Sequence, residues 1–327
     1  MKKWPIIAVT LVVLVLYGVF LNSWMGQNGA APTQATDARP VLQSQPLETA
    51  ETTVQPATEP KPLPDESLLT ARHAFVYYAG EDRLLYSFGD QNQQISPASL
   101  TKLFTCYVAL QYLNGDEVIL VGEEAGFCAP DSSFAFISAG QRLKVETVLQ
   151  GAMMQSGNDA AYILAVAAGR AIAGNDQLGA REALAKFMDE MNARAKAEGL
   201  TGSHFVTPDG YDAEGHYSTA ADLLQIAKLA MTEPLILRYA STDKADVVFE
   251  SGETISWVNT NWLIRRELEE YYTPAVTGLK TGGTSKAGMC VIAVYEKDSR
   301  KLIVGVLGCE LIEQRFVDAM YLIEHYS

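Results

Sequence analysis

Ser96-Pro97-Ala98-Ser99-Leu100-Thr101-Lys102 decides how this chain is read. Ser96 has the side chain of an N-cap, and Pro97 fits the first helical position, where a missing N–H costs nothing. Ser99 then falls near a helix N-terminus, where the helix dipole favours developing negative charge. Lys102 lies three residues on, on the same helix face. The stretch behind it, through Leu103, Phe104, Cys106, Tyr107, Val108, Leu110 and Leu113, is apolar on nearly every side and stops at Asn114-Gly115. Such a helix belongs inside a protein. A lysine that opens it is partly desolvated, which lowers its pKa and lets the neutral amine act as a base. The pair therefore reads as a nucleophile and its general base. A second S-x-x-K, Ser241 to Lys244, sits in a polar stretch with no apolar helix behind it and is read as incidental.

Outward from this stretch, the chain has 327 residues and is 48% hydrophobic, enough to bury a sizeable core. A net charge of −14 argues against nucleic-acid binding, which needs a basic face. Four histidines and four cysteines occur without C-x-x-C or H-E-x-x-H, so neither a metal nor another cofactor is expected. Cys106, Cys290 and Cys309 fall in apolar runs and read as buried free thiols; the disulfide to test first is Cys290 with Cys309.

The N-terminus is organised differently. Lys2 and Lys3 precede an apolar run, Trp4 to Met25, long enough to span a bilayer with its N-terminus in the cytoplasm. Residues 1–25 are read as a signal or membrane anchor, and an uncleaved anchor is favoured over a cleaved signal peptide. Residues 26–66 hold seven of the 13 prolines and no hydrophobic period. They read as a tether that spans roughly 35 Å as a flexible coil. The globular domain is assigned to residues 67–327.

Within that domain, Ala74–Tyr78 and Leu84–Phe88 flank Gly80-Glu81-Asp82 as a hairpin. Periodic alanine-rich segments predict helices at Val145–Met154, Ala160–Ala171, Ala180–Glu198 and Thr219–Met231. Strand patterns return at Val276–Thr281, Gly288–Tyr295 and Leu302–Leu307, and a last helix covers Ile312–Tyr326. The predicted fold is α+β: one antiparallel sheet of about five strands, built from both chain ends and flanked by helices, with an inserted all-helical subdomain.

Two more motifs carry chemistry. Ser156-Gly157-Asn158 lies between two predicted helices; Ser156 can relay a proton, and the Asn158 amide can both donate and accept. Lys280-Thr281-Gly282-Gly283 lies on a predicted strand. Lys280 places a positive charge beside a carboxylate-bearing substrate, and Thr281 adds a hydroxyl. Gly282 and Gly283 let a peptide approach the strand edge, and the Gly283 N–H can pair with that of Ser99 to hold an oxyanion.

The three motifs in this order are the signature set of serine penicillin-recognising enzymes. Residues 70–327 resemble the serine D-alanyl-D-alanine carboxypeptidases, the low-molecular-mass penicillin-binding proteins. The resemblance extends through Ser203-His204-Phe205-Val206-Thr207-Pro208-Asp209-Gly210-Tyr211-Asp212, Tyr217 to Asp222 and Trp257 to Asn261. It implies a β-lactamase/transpeptidase-like fold, and removal of the terminal D-alanine from peptidoglycan stem peptides ending in D-Ala-D-Ala. It also implies covalent inhibition by β-lactams. Ser99 is the implied nucleophile, Lys102 the base and Ser156 the proton shuttle; Asn158, Lys280, Thr281, Gly282 and Gly283 bind substrate. Arg315 matches an arginine near the substrate's terminal carboxylate, but reads equally as a surface cation. Two departures stand out: Gly283 where some relatives have histidine, and Ser327 directly after the last helix where several carry a further β-domain and an anchor. Anchoring is therefore expected from the N-terminal segment, with the domain outside the cytoplasm. Two rival readings are a β-lactamase of the same fold, which shares the three motifs, and a catalytically silent wall-binding module on a tether, which could lose Ser99, Lys102 or Lys280 without penalty, whereas all three are present. A class A β-lactamase would need a water-positioning glutamate; Glu182 and Glu190 are the residues in range, and neither matches convincingly.

Overall fold

A computed structural model describes residues 62–250 and 252–327. The anchor and most of the tether read from the sequence lie outside these residues. No helix among the described residues is long and apolar enough to cross a membrane. The chain is already docked before Ser67: the Asp65 N–H donates to the Tyr321 hydroxyl at 2.7 Å.

The sheet comes from both chain ends, as its strand patterns predict. β1 (His73–Tyr78) and β2 (Arg83–Phe88) open it, and β7 (Val276–Thr284), β8 (Gly288–Lys297) and β9 (Arg300–Cys309) complete it. The order is β2-β1-β9-β8-β7, antiparallel throughout. Strand alternation sorts the side chains. Ala74, Val76, Val291, Ala293, Val304 and Val306 share one apolar core with Phe316 and Leu322 of the last helix, α7 (Gln314–Tyr326). Phe75, Tyr77, Ile292, Val294 and Ile303 join the other core, with the helical part of the chain. Both faces are covered, which is why these strands read as nearly continuous apolar runs. β7 is left at the edge.

The inserted helices are α1 (Thr101–Leu110), α2 (Val145–Met154), α3 (Asn158–Ala173), α4 (Ala180–Ala197), α5 (Ala220–Ala230) and α6 (Pro234–Ala240). Every residue of α1 up to Ala109 is buried, and the helix packs on α3 and α5. The pattern missed α6 and two small two-stranded sheets: β3 (Val118–Leu120) with β4 (Arg142–Lys144), and β5 (Lys244–Val248) with β6 (Thr254–Val258). All four cysteines are buried free thiols.

The start of α1 needs a correction. Ser96 does not cap it. A single 3-10 turn, Ala98–Leu100, carries Ser99 into a helix that begins at Thr101. Ala98 takes a left-handed φ of 48°, which turns Ser96 away. The Ser96 hydroxyl donates instead to the Asp212 carboxylate at 2.6 Å. Ser96 stands before the 3-10 turn, two residues ahead of Ala98, and so does not occupy the cap position of the helix that begins at Thr101.

Candidate active site

Ser99 stands in the turn that leads into α1, and the first turn of the helix aims Lys102 back at it. Lys102 Nζ donates to Ser99 Oγ at 2.8 Å, to Asn158 Oδ1 at 2.6 Å and to the Asp209 carbonyl at 2.8 Å. Three acceptors match the three protons of an ammonium. Lys102 is 0% exposed, and burial pulls its pKa down to about 8; nearby Asp209 opposes the shift.

Asn158 reaches this cluster because α3 begins there. Ser156, in the link from α2 to α3, is buried and holds a left-handed φ of 57°. Behind the link, the Asp159 carboxylate accepts from the N–H groups of Ala135, Ile137 and Ala160. Burial raises its pKa, and the three donors oppose that. The neighbouring Ser133 carbonyl accepts from the Asn158 N–H at 2.8 Å, so the 131–137 loop is bound to the start of α3.

The opposite wall is β7. Gly282 is where it meets the nucleophile turn: a Cβ there would stand 3.2 Å from both Ala98 Cβ and Leu100 N. The missing side chain thus admits the turn carrying Ser99, whereas the sequence reading gave it to an incoming peptide. Gly283, one residue on, is exposed and lines the cleft. Thr281 is buried, its Oγ1 2.6 Å from that of Thr260. Lys280 is 1% exposed and donates to the Thr281 carbonyl at 3.0 Å. Burial, then the charges of Lys102 and Arg315, push its pKa well below the usual lysine value. Burial and those two charges thus work against the positive charge expected of Lys280.

Arg315 is not a surface cation. It is 7% exposed, and its Nη1 donates to the carbonyls of Gly282 at 2.9 Å and Cys290 at 3.3 Å. Burial lowers its pKa to about 10. Its guanidinium thus binds the backbones of β7 and β8 where they pair at Gly282 and Cys290.

Between the walls lies a cleft of about 510 Å³, lined among others by Ser99, Asn158, Gly283, Ser133, Tyr211 and Asp212. The sequence reading missed the 209–212 loop as part of the site. The loop presents the Asp209 carbonyl to Lys102, and Gly210 (φ 83°) is wedged so closely that a Cβ would stand 1.8 Å from the Ala98 carbonyl oxygen. Pro208-Asp209-Gly210 carries the composition of a tight turn, which is the signal that could have drawn attention to it. Neither Glu182 nor Glu190 lines the cleft; Glu190 accepts from the Tyr112 hydroxyl at 2.7 Å.

A family model described as D-alanyl-D-alanine carboxypeptidase, Peptidase_S11, matches residues 57–310. The chain belongs to this family. It is 30% identical over 251 residues to the D-alanyl-D-alanine carboxypeptidase DacF of Bacillus subtilis, covering 75% of this chain and 59% of that protein. Against DacD of Escherichia coli the identity is 32% over 247 residues, covering 72% and 58%. The chain thus spans less than three fifths of the length of these two relatives. The fold is similar to that of the Streptomyces K15 DD-transpeptidase, with a TM-score of 0.70 and 27% identity over 81% of this chain and 98% of that one. It is also similar to penicillin-binding protein D2 of Listeria monocytogenes in its ampicillin-bound form: TM-score 0.63, 28% identity, 79% and 97% covered.

Proposed function

We propose that this family member is a serine-type D-Ala-D-Ala carboxypeptidase that trims peptidoglycan stem peptides through an acyl-enzyme on Ser99. The observation that carries the reading is the 2.8 Å contact between Ser99 Oγ and a fully buried lysine amine whose pKa is lowered to about 8. A neutral amine in that place accepts the hydroxyl proton.

The chemistry then runs in two halves. Lys102 takes the Ser99 proton as Oγ bonds to the carbonyl carbon of the penultimate D-Ala. The Ser99 and Gly283 N–H groups hold the resulting oxyanion. The C–N bond breaks, and the terminal D-Ala leaves with a proton returned from Lys102 through Ser156. Water then attacks the ester, regenerates Ser99 and releases the shortened peptide. Asn158 orients the substrate amide as well as Lys102.

Substrate binding and base activation are coupled in this reading. The substrate's terminal carboxylate settles before Lys280 and Thr281, with the Arg315 charge behind the strand. The anion stabilises a cation at Lys280, and that cation disfavours a second one at Lys102. A β-lactam follows the same acylation and stalls at the ester. The enzyme works outside the cytoplasm, held at the membrane by residues 1–25. The β-lactamase reading is disfavoured because Glu182 and Glu190 lie off the cleft. A silent binding module would have no need of the Lys102 network.

Incubation with a D-Ala-D-Ala pentapeptide and, separately, with a penicillin tests this by mass spectrometry. The expected results are free D-Ala and a slowly hydrolysed penicilloyl adduct on the Ser99 peptide, both abolished in Ser99→Ala. No adduct in the wild type, or equal labelling of Ser99→Ala, rejects the reading. Fast multiple turnover of penicillin favours the β-lactamase.

A further inference from the structure

Three chain segments must meet for this site to exist. One is the turn carrying Ser99, another the loop whose Asp209 carbonyl accepts from Lys102, and the third the end of β7 at Gly283. A single carboxylate touches all three. Asp212 Oδ1 accepts from Ser96 Oγ at 2.6 Å and from Thr284 Oγ1 at 3.0 Å, and Oδ2 faces the Lys286 N–H at 3.4 Å. Ser96 lies in the lead-in to the Ser99 turn, Thr284 directly follows Gly283, and Asp212 belongs to the loop of Asp209. The two hydroxyl partners are 116 and 72 residues away in sequence, so no local turn brings them together.

We propose that Asp212 is a positioning residue that fixes the spacing between the Ser99 turn and the Gly283 end of β7, and thereby the oxyanion hole. The proposal rests on the reading of Ser99 as nucleophile and of the Ser99 and Gly283 amides as oxyanion donors. The packing leaves a task for it. Gly282 and Gly210 let the segments come close, but van der Waals contact between them does not stop one sliding past another. A carboxylate shared by two hydroxyls does, because hydrogen bonds to an ionised acceptor are short, strong and directional. The Thr284 hydroxyl carries the constraint onward by accepting from the Ala287 N–H at 3.0 Å, at the turn between β7 and β8. Oxyanion donors act only within a narrow distance, and a misplacement of about 1 Å can lower a rate by about 10²-fold.

Penicillin acylation tests the proposal, with the rate constant at saturation separated from the dissociation constant of the first complex. Wild type, Asp212→Ala and Asp212→Asn are compared well below their melting temperatures. In Asp212→Ala the saturating rate falls about 10- to 100-fold with little change in the dissociation constant. Asp212→Asn stays within about threefold, because the amide oxygen still accepts from both hydroxyls. Ser96→Ala and Thr284→Val each lose less, and neither loss adds to that of Asp212→Ala.

A wild-type rate in Asp212→Ala overturns the proposal. So does a loss confined to the dissociation constant, which marks a substrate contact, and so does Asp212→Asn as slow as Asp212→Ala. If Asp212→Ala fails to fold, the double variant Ser96→Ala/Thr284→Val is read in its place, and a wild-type rate there overturns the proposal equally. Failure of the underlying functional reading looks different: the wild type itself then forms no Ser99 adduct, whatever stands at position 212.

Discussion

The two walls of the cleft are built on different plans. On the helical wall, Ser99, Lys102, Asn158 and the Asp209 carbonyl are already joined by hydrogen bonds of 2.6–2.8 Å. On the sheet wall, the charged groups turn to backbone: Lys280 to the Thr281 carbonyl, Arg315 to those of Gly282 and Cys290. On the first wall the hydrogen-bond network that the proposed proton transfer uses is therefore complete without substrate. On the second, burial lowers the pKa of both Lys280 and Arg315. On the proposed function, the chemistry is pre-organised on one wall and recognition on the other is conditional on the substrate's carboxylate.

Removing the base breaks that contrast most severely. Lys102→Ala is expected to lower penicillin acylation by about 10²- to 10⁴-fold, with the dissociation constant little affected. The measurement is the time course of adduct formation by mass spectrometry. An equal loss in both quantities would mean that Lys102 itself holds substrate, and its assignment to proton transfer alone would fail.

Lys280 sharpens the contrast through pH. Acylation needs neutral Lys102, so the wild-type rate at subsaturating substrate rises with pH up to about 8 and levels off above it. The stability sign agrees: a lysine with a folded pKa below its unfolded one destabilises the fold at low pH, and the deficit is relieved as pH rises through about 8 toward the ordinary lysine value. At saturating substrate, where the bound carboxylate favours a cation at Lys280, Lys280→Ala removes that cation from beside Lys102, so the acidic limb is expected to move to higher pH. The same variant is expected to raise KM for a D-Ala-D-Ala peptide about 10- to 100-fold, as loss of a charge-assisted contact does. A limb that does not move would show that Lys280 is neutral throughout and acts by hydrogen bonding alone.

Much of this was legible in the residues. Sheet and helices follow from apolar period, and Val145–Met154 is placed to the residue because a buried face and a helical period coincide there. Ser99, Lys102 and Asn158 converge because each opens a helix or the turn leading into one. What stayed hidden depends on contacts far apart in sequence. Ser96 has the composition of a cap, yet Asp212, 116 residues away, claims its hydroxyl. Arg315 reads as either exposed or functional; only the packing of α7 on the sheet puts its guanidinium on the Gly282 carbonyl. Asp209 contributes a backbone oxygen, which no side-chain pattern announces.

The smallest effect is expected where the walls touch. A methyl at Gly282 would meet Ala98 Cβ and Leu100 N at 3.2 Å, tighter than ordinary contact, and one of those neighbours is backbone. Gly282→Ala therefore has to part the walls by a few tenths of an ångström. Such overpacking destabilises by about 1–3 kcal/mol, seen as a lower melting temperature. The two plans then predict different fates for the two functions. The Lys102–Ser99–Asn158 network lies wholly on the helical side and survives the shift, so the pH limb stays near 8. The oxyanion hole draws one donor from each side and widens, so the acylation rate falls, by about tenfold for a displacement this small. A shifted pH limb with an unchanged plateau rate would reverse the assignment: the proton-transfer network, and not the oxyanion hole, would be the part that leans on the sheet.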